Sequence, residues 1–155
     1  MSTLGECNID KIMYLINWNR SESEQQEGIR MAKQVSCLKA FCRPGGQLGG
    51  KGVWDNCAII ICERSDNELE PYISDMLLWI EDLNWPGAEQ IQNRLAQFQK
   101  VDLLAMWLND WVPALEKLEH RAWLSFISAV LDNSKLIPLL NPDTLRVLKI
   151  YYPTI

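Results

Sequence analysis

The sequence lacks a long apolar run and carries little positive charge. None of its apolar stretches approaches the roughly 20 residues that a membrane-spanning helix needs, and residues 1–10 lack the basic and apolar regions of a secretory signal. We therefore expect a cytoplasmic protein. The 155 residues include 15 basic and 20 acidic side chains, which gives a net charge of −5. This balance disfavours nucleic-acid binding, because that function needs basic side chains facing phosphates.

Histidine is scarce, and the cysteines are poorly arranged for a metal. His120 is the one histidine, and an odd count of five cysteines favours reduced thiols over a disulfide framework. Glu116 lies four residues before His120, so both side chains could face one way on a helix, but catalytic zinc usually needs three protein ligands. The two C-x₄-C pairs, which begin at Cys37 and Cys57, are wider than the usual zinc spacing. We predict core thiols, no metal and no cofactor.

A complete phosphate-binding loop is absent as well. Gly45, Gly50 and Lys51 match most of the P-loop pattern, but Gly52 stands where that pattern requires a serine or threonine for Mg²⁺. The required strand is also missing, because a helical stripe leads up to Pro44. We interpret residues 45–52 as an exposed connection between helices that does not bind ATP.

Helix patterns account for most of the chain, and strand alternation is nearly absent. Ser21 and Ser65 each stand three residues before a glutamate, which is the capping-box pattern of a helix start. Apolar spacing predicts helices over about 22–41, 53–64, 71–83, 86–98, 104–112, 123–130 and 142–152. Pro71 and Pro86 are expected in first turns, and Pro113 is expected to interrupt a helix. A further helix is expected to end near Trp18, so the fold class is all-α, with about eight short helices.

A specific string occupies the middle of the chain: Leu78-Trp79-Ile80-Glu81-Asp82-Leu83-Asn84-Trp85-Pro86-Gly87-Ala88. Three shorter strings accompany it, Trp54-Asp55-Asn56-Cys57-Ala58, Ser65-Asp66 and Pro71-Tyr72. Together they resemble an uncharacterised bacterial HEAT-like domain family of unknown function, best over residues 53–98. The resemblance implies a HEAT-like right-handed α-α superhelix, here a single helical-repeat domain over residues 1–155. It also suggests an association with bacterial toxin–immunity loci, and it supplies no catalytic residue.

A short internal repeat agrees with a helical solenoid. Leu15-Ile16-Asn17-Trp18 and Asp82-Leu83-Asn84-Trp85 lie 67 residues apart, near the length of two helical hairpins. In the second copy, Asn84 is the expected cap of the next helix. Trp18 and Trp85 are expected to fill the gaps between helical units. The tryptophans assigned to the core by their apolar stripes are Trp79, Trp107 and Trp123.

Negative charge concentrates in residues 51–99, which carry nine acidic and three basic side chains. A solvated acidic face would accelerate encounter with a basic protein partner. Trp111 fits either the core or the surface, and tryptophan is enriched at interfaces. We therefore predict a non-catalytic protein-protein interaction module, in its sharper form an immunity-type protein that binds a bacterial toxin. The candidate partner-binding residues are Glu63, Asp66, Glu68, Glu70, Asp75 and Trp111.

The alternative is an enzyme that uses carboxylates, with or without His120, in a concave groove of the helical repeat. Converging carboxylates with shifted pKa values in a deep pocket would favour this alternative. A broad and shallow acidic face would favour the binding module.

Overall fold

The computed structural model describes the backbone of residues 3–45 and 49–152, with side chains from residue 8 onward. All regular structure in those ranges is helical, which confirms the all-α prediction. The α-helices are α1 (Thr3–Leu15), α2 (Glu22–Ala32), α3 (Trp54–Cys62), α4 (Asp66–Leu69), α5 (Ile73–Trp79), α6 (Ala88–Ala96), α7 (Val101–Lys117), α8 (Arg121–Ile127) and α9 (Pro142–Tyr151). Short 3₁₀ helices cover Leu38–Phe41, Gly50–Val53, Glu70–Tyr72, Ser128–Asp132 and Ile137–Leu139.

Both predicted capping boxes are present. Ser21 Oγ accepts from the Glu24 amide at 3.2 Å, and the Glu24 carboxylate accepts from the Ser21 amide at 3.4 Å. Ser65 and Glu68 form the same reciprocal pair at 3.2 and 3.3 Å. These bonds satisfy amides that have no partner within the first helical turn, so α2 and α4 start where the local pattern predicts.

The end of α2 differs from the prediction, because the helix stops at Ala32 rather than near Phe41. Arg64, at the end of the next helical unit, donates to the carbonyl oxygens of Ala32 and Val35, each at 2.7 Å. The Ala32 carbonyl oxygen also accepts from the Val35 amide at 3.0 Å, so the helix ends in a tighter turn whose carbonyl oxygens the guanidinium binds. The chain then turns, and only Leu38–Phe41 returns to a short 3₁₀ helix.

Three prolines differ from their predicted positions, and one of them, Pro86, lies before α6 rather than in its first turn. Pro71 lies inside a 3₁₀ helix, so α5 begins at Ile73 and not at the proline. Pro113 lies inside α7, which continues from Val101 to Lys117 without the predicted interruption. Proline removes a backbone hydrogen bond from a helix, but Val112 and Leu115 on either side are buried in the core. Tertiary packing therefore outweighs the local preference.

The corner before α6 is built around a glycine. Gly87 is the residue before the helix and has a left-handed φ of 81°. Asn84 is therefore not the cap, contrary to the prediction; its backbone amide donates to Asp82 Oδ1 at 2.9 Å in a separate turn. A Cβ at Gly87 would lie 2.6 Å from Ala58 Cβ and 3.0 Å from the Trp54 carbonyl oxygen. Glycine meets both the conformational and the steric requirement.

One contiguous apolar core runs from α1 to α9. The helices adjacent in sequence pack together in most cases, while α3 against α6 and α7 against α9 join more distant segments. Asn56 in α3 is buried and donates to the Ile16 carbonyl oxygen at 2.7 Å and to Gln25 Oε1 at 2.9 Å, so it links α3 to α1 and α2. The predicted stripe of α6 is fully buried: Ala88, Ile91, Leu95 and Phe98. In the described part of the chain, no helix has the length and apolar character needed to cross a bilayer.

Candidate functional site

Three tryptophans of helices α7 and α8 lie in a row in which each ring contacts the next. Trp107 and Trp111 lie one turn apart on α7, with ring centroids 6.3 Å apart. Trp123 on α8 meets Trp111 edge to face, at 5.7 Å and an interplanar angle of 87°. His120, immediately before α8, contacts Trp123 at 5.8 Å. We call these four side chains the aromatic row.

A tight turn between α7 and α8 assembles the row. Glu119 has a left-handed φ of 60°, which is uncommon for a residue other than glycine. The His120 amide donates to the Leu115 carbonyl oxygen at 3.0 Å and thereby closes the end of α7. The turn directs α8 back against α7, and this reversal places Trp123 beside Trp111.

The tryptophans of the row are half-buried, and His120 is exposed. Each indole packs partly against the core. Trp123 is also anchored by its polar edge, because Nε1 donates to the Leu77 carbonyl oxygen at 2.9 Å. Among the described residues, no acceptor binds the indole N–H of Trp107 or Trp111, and neither N–H is buried. The row therefore presents aromatic surface and two hydrogen-bond donors to solvent.

A pocket of about 350 Å³ opens beside the row. Trp111 and Trp123 form two of its walls, and Ala114 and Leu115 add apolar surface. Asp110 is the one charged side chain among the described walls. No described lysine or arginine forms an ion pair with Asp110.

Asp66, one of the predicted partner-binding residues, is occupied inside the protein. Its carboxylate accepts from Arg94 Nη2 at 2.6 Å, from the Gln99 amide at 2.7 Å and from the Lys100 amide at 3.2 Å. Burial opposes the charge on Asp66, but these donors outweigh it and hold the pKa of the carboxyl below its ordinary value. Asp66 thus joins α4 to the segment between α6 and α7 and has little capacity left for a partner.

Three other predicted acidic residues also pair with cations of the same chain. Hydrogen bonds from Arg64 and Ser65 hold the pKa of Glu68 below its usual range. Of the predicted acids, Glu63 alone has no ion pair within the described part of the chain. The pairs are Glu68 with Arg64 at 2.7 Å, Glu70 with Lys100 at 3.3 Å and Asp75 with Lys39 at 2.7 Å.

The predicted site residues fall into separate places. Glu63 and Glu68 line a cleft of about 360 Å³ together with Lys33 and Arg64. Trp111 lines the pocket beside the aromatic row instead. The cleft contains both signs of charge, so it does not form the free acidic face that the sequence suggested.

Glu116 and His120 do not share a helix face, although their spacing allowed it. His120 lies outside α7, in the turn before α8, and Glu116 forms an ion pair with Arg146 at 3.1 Å. Across residues 3–45 and 49–152, no group of three or more His, Cys, Asp or Glu side chains is placed to hold a metal ion. Burial raises the pKa of the Cys42 thiol to about 12 and that of Cys57 to about 11, which disfavours their thiolate forms.

The glycine-rich connection only partly matches the prediction, and its residues 46–48 lie outside the described residues. Gly45, Gly49 and Gly50 are exposed, but Gly52 is half-buried against Trp18. The Trp18 amide donates to the Gly52 carbonyl oxygen at 2.9 Å. The Trp18 side chain is 75% exposed, so the prediction that it fills a gap between helical units is wrong.

Sequence reasoning missed several members of the aromatic row and its pocket. The apolar stripes assign Trp107 and Trp123 to the core, and one part of each ring does pack there. The sequence indicates His120 only as one ligand of an incomplete metal site, and no local pattern singles out Asp110. The spacing of Trp107 and Trp111, one helical turn apart, is the local pattern that indicates an aromatic ridge.

The fold and the row define an all-helical protein with an exposed aromatic surface. The chain belongs to a family described as Domain of unknown function (DUF5071), whose model matches residues 52–131. This match agrees with the resemblance to an uncharacterised family, and the matched segment contains the aromatic row and all six predicted site residues. No curated protein and no solved structure matches the chain.

Proposed function

We propose that this chain is a non-catalytic protein-binding module whose partner docks on the aromatic row. The observation that carries the proposal is the continuous contact of Trp107, Trp111 and Trp123 at a half-buried position. Tryptophan is the residue type most enriched among the few that dominate interface energies. A partner that covered these rings would remove aromatic surface from water and gain the hydrophobic contribution.

Four of the six residues predicted to bind a partner are already paired inside the protein, so we place the proposed docking surface at the aromatic row instead. Asp66, Glu68, Glu70 and Asp75 contact cations of the same chain. Asp110 beside the row has no such cation among the described residues. Together with the net charge of −5, it supports a basic partner, whose approach an acidic protein accelerates.

The finer form of the proposal is an immunity-type protein that binds a bacterial toxin in the cytoplasm. Its support is the resemblance carried by the Leu-Asn-Trp-Pro-Gly-Ala string, which also suggests a HEAT-like right-handed superhelix. The free thiols among the described side chains agree with a reducing compartment, where disulfides are rare. These thiols are Cys37, Cys42, Cys57 and Cys62.

The enzyme alternative has less support from the described carboxylates. A general acid at neutral pH needs a raised pKa. Arginine partners hold the pKa values of Glu24, Glu27 and Glu68 below their ordinary range, and Asp66 is lowered by its donors despite burial. This pattern is that of ion pairs that stabilise the fold.

The test is a capture experiment from extract of the source cells with a pair of tryptophan variants. Trp111→Ala removes the centre of the row, whereas Trp18→Ala removes an exposed tryptophan that lies outside it. We expect a protein, identified by mass spectrometry, that binds the wild type and Trp18→Ala but not Trp111→Ala. In calorimetry, the purified partner should then bind the wild type and Trp18→Ala more tightly than Trp111→Ala.

Thermal melting of each variant separates loss of binding from loss of folding. The proposal requires Trp111→Ala to remain folded at the temperature of capture while it loses the partner. Equal binding by Trp111→Ala and the wild type would overturn the docking surface. A partner that depends on Trp18 and not on Trp111 would place the interface elsewhere.

A further inference from the structure

The pocket beside the aromatic row combines aromatic walls with one negative charge. The rings of Trp111 and Trp123 stand at 87° to each other, so they form two walls of a corner. Asp110 contributes a carboxylate, and Ala114 and Leu115 contribute apolar surface. The face of an indole attracts a cation through its quadrupole, and tryptophan does so best among aromatic residues. The walls therefore suit an organic cation that has both charge and apolar groups.

We propose that this pocket receives a lysine or arginine side chain of a basic protein partner. The inference rests on the proposed function, because the pocket belongs to the same docking surface. The methylene stem of such a side chain would contact Leu115 and the indoles, while its charged end would pair with Asp110. No other residue type presents an apolar stem and a permanent positive charge together.

Asp110 has no ion pair within the described part of the chain and lies beside the aromatic walls, unlike four of the predicted acidic residues. Lysines and arginines of the chain neutralise Asp66, Glu68, Glu70 and Asp75. No cation among the described residues pairs with Asp110. A partner side chain would supply the missing cation, whereas an apolar side chain would cover this carboxylate without a counter-ion, at a cost in desolvation.

The extent of the surface favours a protein side chain over a free small cation or a metal ion. Trp107 continues the row beyond one side of Trp111, and His120 continues it beyond Trp123. A free small cation would leave this surface uncovered, whereas a protein partner would cover it. Calcium and magnesium take about six or more oxygen ligands, and the described walls offer one carboxylate.

Nuclear magnetic resonance of the indole N–H groups tests the proposal with defined probes. The probes are blocked tripeptides with a central lysine, arginine or norleucine, and norleucine provides the apolar stem without charge. We expect the lysine and arginine peptides to shift the Nε1–H resonances of Trp111 and Trp123, while norleucine shifts neither. The resonance of Trp18, which is exposed outside the row, is the internal control.

A matched pair of charge variants identifies the carboxylate. Asp110→Asn should weaken binding of the lysine peptide by about 5-fold, which corresponds to about 1 kcal/mol at 1.4 kcal/mol for each factor of ten. Asp102→Asn removes the same charge from an exposed position on the same helix and should leave the affinity unchanged. Equal shifts with norleucine, or equal weakening by both variants, would overturn the proposal.

Two further outcomes separate this inference from the proposed function. Choline that binds tightly while neither basic peptide binds would make the pocket a small-molecule site and would overturn the assignment of a protein side chain. Captured partner that binds Asp110→Asn as well as wild type, but not Trp111→Ala, would refute the cation contact and keep the docking surface. Capture that survives Trp111→Ala would refute the docking surface itself.

Discussion

The protein uses two clusters of three tryptophans in different ways. In the first, which we call the tryptophan corner, Trp54 contacts Trp79 at 6.1 Å and Trp85 at 5.7 Å, with interplanar angles of 80° and 78°. The aromatic row has the same edge-to-face geometry. In the corner, Trp54 and Trp79 are only 7% and 1% exposed and Trp85 is half-buried, whereas all three tryptophans of the row are half-buried.

What surrounds each cluster explains this difference. In the corner, Trp79 Nε1 donates to the Pro86 carbonyl oxygen at 3.1 Å, and Gly87 lets the backbone pass close to the rings. In the row, one part of each ring reaches the core and another part faces solvent. The same residue type therefore stabilises the fold in the corner, and in the row it leaves surface for a partner.

The largest expected effect is a difference in stability between the two clusters. Trp79→Ala should lower the free energy of unfolding by about 3–5 kcal/mol, because it empties a fully buried site. Trp111→Ala should lower it by about 1–2 kcal/mol, because part of that ring is already hydrated. Urea unfolding of both variants measures the difference. Equal losses would mean that the row is as much a part of the core as the corner.

Gly87→Ala should break the tryptophan corner by a different route. The substitution forces alanine into a left-handed conformation and brings its Cβ against the Trp54 carbonyl oxygen, so we expect a loss of about 2–4 kcal/mol. Gly45→Ala is the matched control, because a Cβ there meets nothing within 4 Å. Chemical denaturation should show little change for the control. A stable Gly87→Ala variant would show that the corner tolerates a backbone shift.

Two carboxylates differ in the same way, because Asp66 is paired inside the protein and Asp110 has no ion pair among the described residues. Asp66→Asn should cost about 1–3 kcal/mol at neutral pH, because it weakens charge-assisted hydrogen bonds, while Asp110→Asn should cost almost nothing. The folded state lowers the pKa of Asp66, so its contribution is fully present above its unfolded pKa of about 4. The contribution is lost as the pH falls through the lower folded value.

Urea unfolding at a series of pH values therefore provides a readout specific to Asp66. The difference in stability between the wild type and Asp66→Asn should shrink as the solution becomes acidic. A difference that stays constant down to pH 2 would contradict the assigned cause, and a large loss in Asp110→Asn would show an internal role for that residue.

The smallest expected effect concerns Asn84. Because Gly87 and not Asn84 precedes α6, Asn84→Ala should change the free energy of unfolding by less than about 0.5 kcal/mol. Ser65→Ala removes a true cap and should cost about 1 kcal/mol. Thermal melting of the two variants side by side makes the comparison. A loss of stability in Asn84→Ala as large as that in Ser65→Ala would show that Asn84 does stabilise the turn before α6.

Features that depend on one or two helical turns could be predicted from the sequence. The capping boxes at Ser21 and Ser65, the buried stripe of α6 and the start of α9 after Asn141 all match the structure. Each depends on hydrogen bonds or side-chain spacing among residues that are close in the chain. The all-helical class follows from the same local rules, because these patterns repeat along most of the sequence.

Only the tertiary structure decided which tryptophans are exposed to solvent and which carboxylates have no ion pair. Trp18 and Trp85 end similar four-residue strings, yet Trp18 lies in solvent and Trp85 packs on Trp54. Asp66 forms an ion pair with Arg94, which lies 28 residues away in the chain. Arg64 binds the carbonyl oxygen at the end of α2 from about 30 residues away. Burial and ion pairing depend on contacts between segments that are distant in the chain, so a local sequence pattern does not predict them.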